Sequence, residues 1–244
     1  MRALSDRPRR CHFVCRPRAR GLCASHPAVR APALRSEAPG PASRPYGQTR
    51  DGFVLSEGAG VLALMRQSDV PAGDALGWLL ASGSSSDAHH IVAPEPQGLQ
   101  ASRAIEEALQ RADCKPDDLC AVQAHATGTS LGDLAEARAL RRSLGSAAAH
   151  LPVYAPKGQL GHLLGGAGAV ETILALQSLR AGMVPCSVNA DPLDPEVELA
   201  VTGGGPVALP ATDRASAQRR RRRWVYSSLP STSRACWSIR SLPV

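Results

Sequence analysis

From 161 to 179 the chain carries ten apolar side chains: Leu163, Leu164, Ala167, Ala169, Val170, Ile173, Leu174, Ala175, Leu176 and Leu179. On a helix these positions lie nearly all round the axis, so such a helix has no face it can leave in water. A helix of this kind fits the middle layer of a layered α/β fold and not its outside. The segments before it agree. Residues 53–65 are apolar and interrupted by Gly58 and Gly60, which predicts a strand pair or bulged strand. Residues 76–84 predict another strand. Ala101, Ile105, Ala108, Leu109 and Ala112 follow one helical face. Lys115-Pro116-Asp117-Asp118 begins a short helix, with proline and acids in its first turn. Short strands are predicted at 119–124 and 153–155, and a helix over 134–144.

Charge divides the chain in three. The formal net charge is +7, but residues 44–200 carry 11 Lys+Arg against 18 Asp+Glu, and the flanks hold the remaining 17 and 3. The middle is therefore an ordinary acidic domain, and a basic chain's implied affinity for nucleic acid applies to the flanks alone. Residues 1–43 are rich in Arg, Pro and Ala, and 205–244 include the run Arg219 to Arg223. Neither flank can bury enough apolar surface to fold alone. Both are expected to be disordered, the second disordered or out of frame, around a domain spanning 44–204. The Arg-rich N-terminus resembles a transit peptide, but 26 of the 28 basic residues are Arg, a bias that needs no targeting. No run of about 18 apolar residues predicts a membrane span, and no apolar signal core predicts secretion. A cytoplasmic protein is expected. Seven cysteines at irregular spacing do not form a disulfide framework. Cys11, His12, Cys15, Cys23 and His26 are too short and irregular in spacing for a structural zinc site, so no metal is expected.

Three segments hold the polar groups a site needs. They run from Arg50 to Gly60, from Ala124 to Asp133 with Glu136 a helical turn on, and from Lys157 to Gly168 followed by Glu171. His125 and His162 both fall at strand-to-helix junctions, where open α/β sheets bind ligands. Imidazole is suited to donate to a developing oxyanion or to move a proton near neutral pH. Lys157, five residues before His162, is placed to orient or polarise it. Thr127 and Thr129 offer hydroxyls to a polar arm or a phosphate. Plainer readings stand beside each. A single His at a strand end is more often structural, Gly165 to Gly168 permits close packing more often than it binds a nucleotide, and Asp133 and Glu136 also suit a helix start.

Together the segments resemble the β-ketoacyl-(acyl-carrier-protein) synthase family of condensing enzymes, closest to the stand-alone type II synthases. The resemblance runs from about 42 to about 199. It is carried by Arg44-Pro45, Arg50-Asp51-Gly52-Phe53-Val54, the stretch from His125 to Asp133, Lys157, Gly161-His162, and Val184-Pro185 onward to Asp194-Pro195-Glu196. It implies the C-terminal half of a thiolase-like layered αβαβα fold, of the α/β class, with irregular or disordered basic flanks. It implies a decarboxylating Claisen condensation of a malonyl thioester with an acyl-enzyme, in fatty-acid or polyketide synthesis. By position, His125 and His162 resemble the histidine pair that binds the malonyl thioester, promotes loss of CO2 and stabilises the enolate. Lys157 resembles the lysine that supports them. Thr127 and Thr129 resemble the hydroxyls that hold the pantetheine arm. Glu171, with Asp133 and Glu136, resembles the acids that order water or an ion. No separate cofactor is implied, because substrates ride on the phosphopantetheine of acyl carrier protein. That carrier and either a homodimer or the missing N-terminal half are the implied partners, with neither nucleic acid nor membrane.

The departures are as informative. The Thr-Ala-Cys turn that carries the family's nucleophile is absent. Cys114, Cys120 and Cys186 sit in other contexts, and a Gly-Phe-Gly-Gly loop is replaced by the Arg-rich tail. Tyr46-Gly47 stands where an aromatic–acid pair is usual, and Ser56 where glycine is. A half fold leaves the 161–179 helix with an uncovered apolar face, so the chain alone is expected to be poorly stable or to aggregate and to fail at condensation. Two other readings are a non-catalytic partner subunit of a ketosynthase, though such subunits typically lose the histidines, and a basic protein that acts through its flanks.

Overall fold

The computed structural model describes residues 11–12, 42–71, 74–90, 93–209, 223–228 and 234–241. In chain order its strands are β1 (Cys11–His12), β2 (Ala63–Leu64), β3 (Gly77–Ser85), β4 (Leu119–Gln123), β5 (Val153–Tyr154), β6 (Met183–Val184), β7 (Val207–Ala208), β8 (Arg223–Ser228) and β9 (Arg234–Ser241). The helices are α1 (Leu99–Arg111), α2 (Ser130–Leu144), α3 (Lys157–Leu160) and α4 (Ala167–Ala181). Seven strands form one mixed sheet in the order β2-β1-β3-β9-β8-β4-β5, and β6 pairs with β7. β4 runs parallel to both β5 and β8, while β9 is antiparallel to β8 and β3.

The sheet lies between helices because β4 and β5 alternate their side chains toward two apolar clusters. Val122, Ala124, Val153 and Ala155 join Ile105, Ala108 and Leu109 of α1 and Ala137 and Leu140 of α2. Ala121 and Tyr154 face the other way, onto Ala175, Leu176 and Leu179 of α4. This is the layered α/β arrangement expected, with α4 against the sheet. Its outer side is less covered: Ala169, Val170, Ile173 and Leu174 are half-buried.

One expectation needs correction. The helix read over 161–179 is interrupted. α3 ends at Gly161, whose φ of 68° is left-handed. His162 then runs extended beside Val54 to Ser56, its N–H donating to the Val54 carbonyl (2.7 Å) and its own carbonyl accepting from Ser56 N–H (3.1 Å). A short 3-10 turn, Leu164–Gly166, precedes α4. Apolar periodicity ran through the break because Leu163 and Leu164 supply apolar side chains in any backbone conformation. Part of the basic tail is described. Within it, β8 and β9 form a hairpin that joins β3 to β4 at the sheet centre. Trp224, Val225 and Tyr226 are good strand formers, and Val225 is fully buried opposite Val122. The expectations for 1–10, 13–41, 210–222, 229–233 and 242–244 lie outside the described residues, as do Cys15, Cys23 and His26. Smaller differences are the start of α2 at Ser130, earlier than 134, and the reduction of the 53–65 strands to β2 and an isolated bridge from Leu55 to His162.

Close backbone approach sets how α1 seats on β3. A Cβ on Gly83 would meet the Ala104 carbonyl and the Ala108 nitrogen at less than van der Waals distance. Backbone there has little room to yield. Gly83→Ala is expected to cost about 1–3 kcal/mol of stability, read as a lower midpoint in urea unfolding.

Candidate functional site

The three polar segments come together. β4 ends at Gln123, and His125 follows on a turn in which Ala126 (φ 30°) and Gly128 (φ 82°) are left-handed. That turn is pinned by acids from the first turns of α2. Glu136 accepts from the His125 N–H (2.8 Å) and the Ala126 N–H (2.7 Å), and Asp133 accepts from the Gly128 N–H (3.1 Å). The Gly52 N–H donates to the Gly128 carbonyl, which ties the first segment to the second. The bridge of His162 to Val54 and Ser56 ties the first to the third.

The result is a pair of imidazoles. The rings of His125 and His162 lie 5.3 Å apart between centroids and 88° to one another. Phe53 packs edge-on against His162 on another side, at 5.4 Å. His162 Nδ1 accepts from the Leu164 N–H (3.2 Å). That bond places the ring proton on Nε2 and leaves Nε2–H as a donor. Burial, with the Lys157 charge acting in the same direction, lowers the His162 pKa to about 4. His162 is therefore a neutral hydrogen-bond donor at physiological pH.

Lys157 and Glu171 form an ion pair of 2.5 Å with both side chains shut off from water. Gln123 Nε2 donates to the Glu171 carbonyl (2.6 Å), which fixes the start of α4 on β4. Thr127 and Thr129 hold their hydroxyls 3.1 Å apart and are half-buried beside His125. All eight residues singled out from the sequence thus belong to one region.

The acids divide by role. Asp133 and Glu136 are fully buried and spend their oxygens on backbone amides, so they act as pegs for the turn. Glu171 neutralises Lys157. Burial pushes the Asp133 carboxyl up to about 7 against the pull of the Tyr46 and Gly128 amides and Arg50. Among the described residues no group of three or more His, Cys, Asp or Glu is arranged to hold a metal ion, and no helix is long and apolar enough to cross a membrane. Cys114 and Cys120 are buried. Burial raises the Cys114 thiol, the wrong direction for a nucleophile, and Cys120 Sγ points to the Arg223 carbonyl (3.0 Å).

Sequence reasoning quoted Arg50 and Asp194 without assigning them work. Arg50 is buried, donates to Asp194 (2.6 Å) and to the Ser130 carbonyl (3.1 Å), and lies 3.8 Å from Asp133. The signal was available: Arg50 stands beside an acid in the quoted segment, and an arginine that is buried must find acids. Tyr46 was read only as a departure, and Gln123 and Phe53 were given no role at the site.

Known proteins resemble this chain in sequence and fold. Residues 76–191 match the family model described as beta-ketoacyl synthase, C-terminal domain. The 3-oxoacyl-[acyl-carrier-protein] synthase 2 of Mycobacterium tuberculosis H37Rv is 44% identical over 171 residues, which cover 69% of this chain and 40% of that protein. A ketosynthase domain for oxazolomycin from Streptomyces albus superposes with a TM-score of 0.74 at 26% identity, over 84% of this chain and 38% of that one. A complex described as a type II PKS acyl-carrier protein with its ketosynthase bound to the hexaketide contains the same fold, with a TM-score of 0.77 at 24% identity over 86% of this chain and 51% of that one. The fold is that of the C-terminal half of a thiolase-like ketosynthase. The chain belongs to the β-ketoacyl synthase family, and it spans about two fifths of the length of the curated relative it matches.

Two outcomes are expected. NMR titration of the histidine ring protons should find His162 neutral throughout pH 5–8, with its midpoint near 4. Its folded pKa lies below the ordinary 6.5, so its contribution to stability is full above about 6.5 and is lost as pH falls through about 4. Lys157→Met strands a buried carboxylate and should cost about 3–5 kcal/mol in chemical unfolding.

Proposed function

We propose that this chain carries the malonyl-activating half of a 3-oxoacyl-[acyl-carrier-protein] synthase. The observation that supports the reading best is the pair of imidazoles at 5.3 Å, one of them held neutral with Nε2–H free to donate. Two donors at this spacing suit a single thioester carbonyl oxygen. As the malonyl carboxylate leaves as CO2, the electron pair of the breaking C–C bond moves onto that carbonyl and forms an enolate. Preorganised donors aimed at the developing oxyanion are worth far more in a dry site than in water. A neutral His162 supplies such a donor without the cost of burying an imidazolium.

In this reading the Lys157–Glu171 pair has a positioning task. It joins α3 to α4 on either side of the loop that bears His162, and the lysine's charge helps keep that ring unprotonated. The Thr127 and Thr129 hydroxyls bind the polar pantetheine arm. The carrier would be an acyl carrier protein, the carrier that the name of the mycobacterial relative specifies for that enzyme. Condensation would follow when the enolate carbon attacks an acyl thioester and displaces its sulfur. The sequence contains no Thr-Ala-Cys segment to hold that acyl group. The half-reaction within reach of these residues is decarboxylation, in which a malonyl thioester and a proton give an acetyl thioester and CO2.

Malonyl-pantetheine offered to the purified chain should release CO2 faster than it does in buffer. His125→Ala and His162→Ala should each lower the rate about 100-fold, and Thr127→Val with Thr129→Val should mainly raise KM. Release no faster than in buffer overturns the reading, as a non-catalytic partner subunit would require.

A further inference from the structure

His125 is held from below by α2, and α2 is in turn gripped from the first segment by one side chain. Tyr46 is fully buried, with φ 61°. Its N–H donates to Asp133 Oδ2 (2.7 Å), and its phenol donates to Glu136 Oε2 (3.0 Å). Glu136 Oε2 also accepts from Ala126, and Oε1 accepts from His125 itself. Three donors therefore converge on the Glu136 carboxylate among the described residues, two from adjacent amides and the third from a different segment.

We propose that the Tyr46 phenol is a positioning residue for His125, acting through the Glu136 carboxylate. A carboxylate turns readily about its last side-chain bond. The donors from His125 and Ala126 come from neighbouring residues on one turn. The phenol ties the same group to the 42–50 loop, so that the turn, the helix and the loop share one fixed point. Burial, followed by the charges of Glu136 and Asp133, raises the phenol pKa well above its usual 10, so the hydroxyl remains a donor wherever the protein is folded. Asp133 is an internal control. It takes the backbone amide of Tyr46 and not the phenol, and it holds Gly128 and not His125.

As a contribution to catalysis this rests on the reading of His125 given above; as a statement about the turn it does not. The test is amide hydrogen exchange on the whole chain as wild type, Tyr46→Phe and Glu136→Gln. Tyr46→Phe keeps the ring and removes the donor. It should speed exchange at His125 and Ala126 about tenfold, the worth of one hydrogen bond, and leave Gly128 and the α1 amides unchanged. A residue that merely fills space would move all of these together or none. Glu136→Gln should give the same signature, so the test survives if the phenylalanine variant does not fold. In malonyl-pantetheine decarboxylation, Tyr46→Phe should lower kcat about tenfold with KM unchanged. Unchanged exchange at His125 and Ala126 in both variants overturns the proposal. Altered exchange with no decarboxylation by the wild type leaves Tyr46's role in the turn standing and sinks the proposed function instead.

Discussion

Lys157 and Glu171 meet where neither can be hydrated. Removing two such charges from water is costly, and their attraction offsets that cost only in close geometry. The contact therefore tolerates few arrangements of the elements that bear it, and this is how it governs the site. α3 and α4 are separated by a break that apolar packing alone would not position. The pair clamps the two helices across that break, and His162 stands inside the span. Gln123 then carries the constraint to the sheet by holding the carbonyl of the same glutamate. The position of one imidazole is thus referred, through buried side chains, to strand β4. That strand also leads to the other imidazole.

The acids of α2 do for His125 what the ion pair does for His162, with different chemistry. Backbone turns with left-handed residues such as Ala126 are strained, and strain persists only where the surroundings leave no easier conformation. Asp133 and Glu136 supply that by accepting from the turn's own amides. The plainer reading of these residues, as acids near a helix start, captures their place on α2 but not their partners. The resemblance assigned them to water or an ion, whereas their oxygens are committed to protein donors.

Much of the architecture was legible because it follows local rules. The strands at β3, β4 and β5 and the helix α1 came from periodicity, and the covered helix α4 came from its lack of a polar face. The grouping of the eight candidate residues was legible because polar and small residues cluster at strand ends, and because those clusters resembled a known family in order and spacing. What escaped was nonlocal. Gly161 looks like any glycine until Val54 and Ser56 are seen pairing with His162. Tyr46 looks like a packing aromatic until Glu136 is found beside its hydroxyl, 90 residues away in sequence. The tail's strand character was masked by its arginines, although Trp224-Val225-Tyr226 carried the β preference all along.

The hairpin of β8 and β9 has a bearing on how the molecule is assembled in time. β3 and β4 are separated in the sheet by two strands that are synthesised about a hundred residues after β4 leaves the ribosome. Until those strands emerge, the parallel β4–β5 pair and the β2-β1-β3 group exist as two separate pieces with open edges. Open edges of this kind invite pairing with other chains, and contacts distant in sequence form slowly. The sheet is therefore completed late and from its middle, so the nascent chain has a long interval in which a chaperone that masks strand edges would decide its yield.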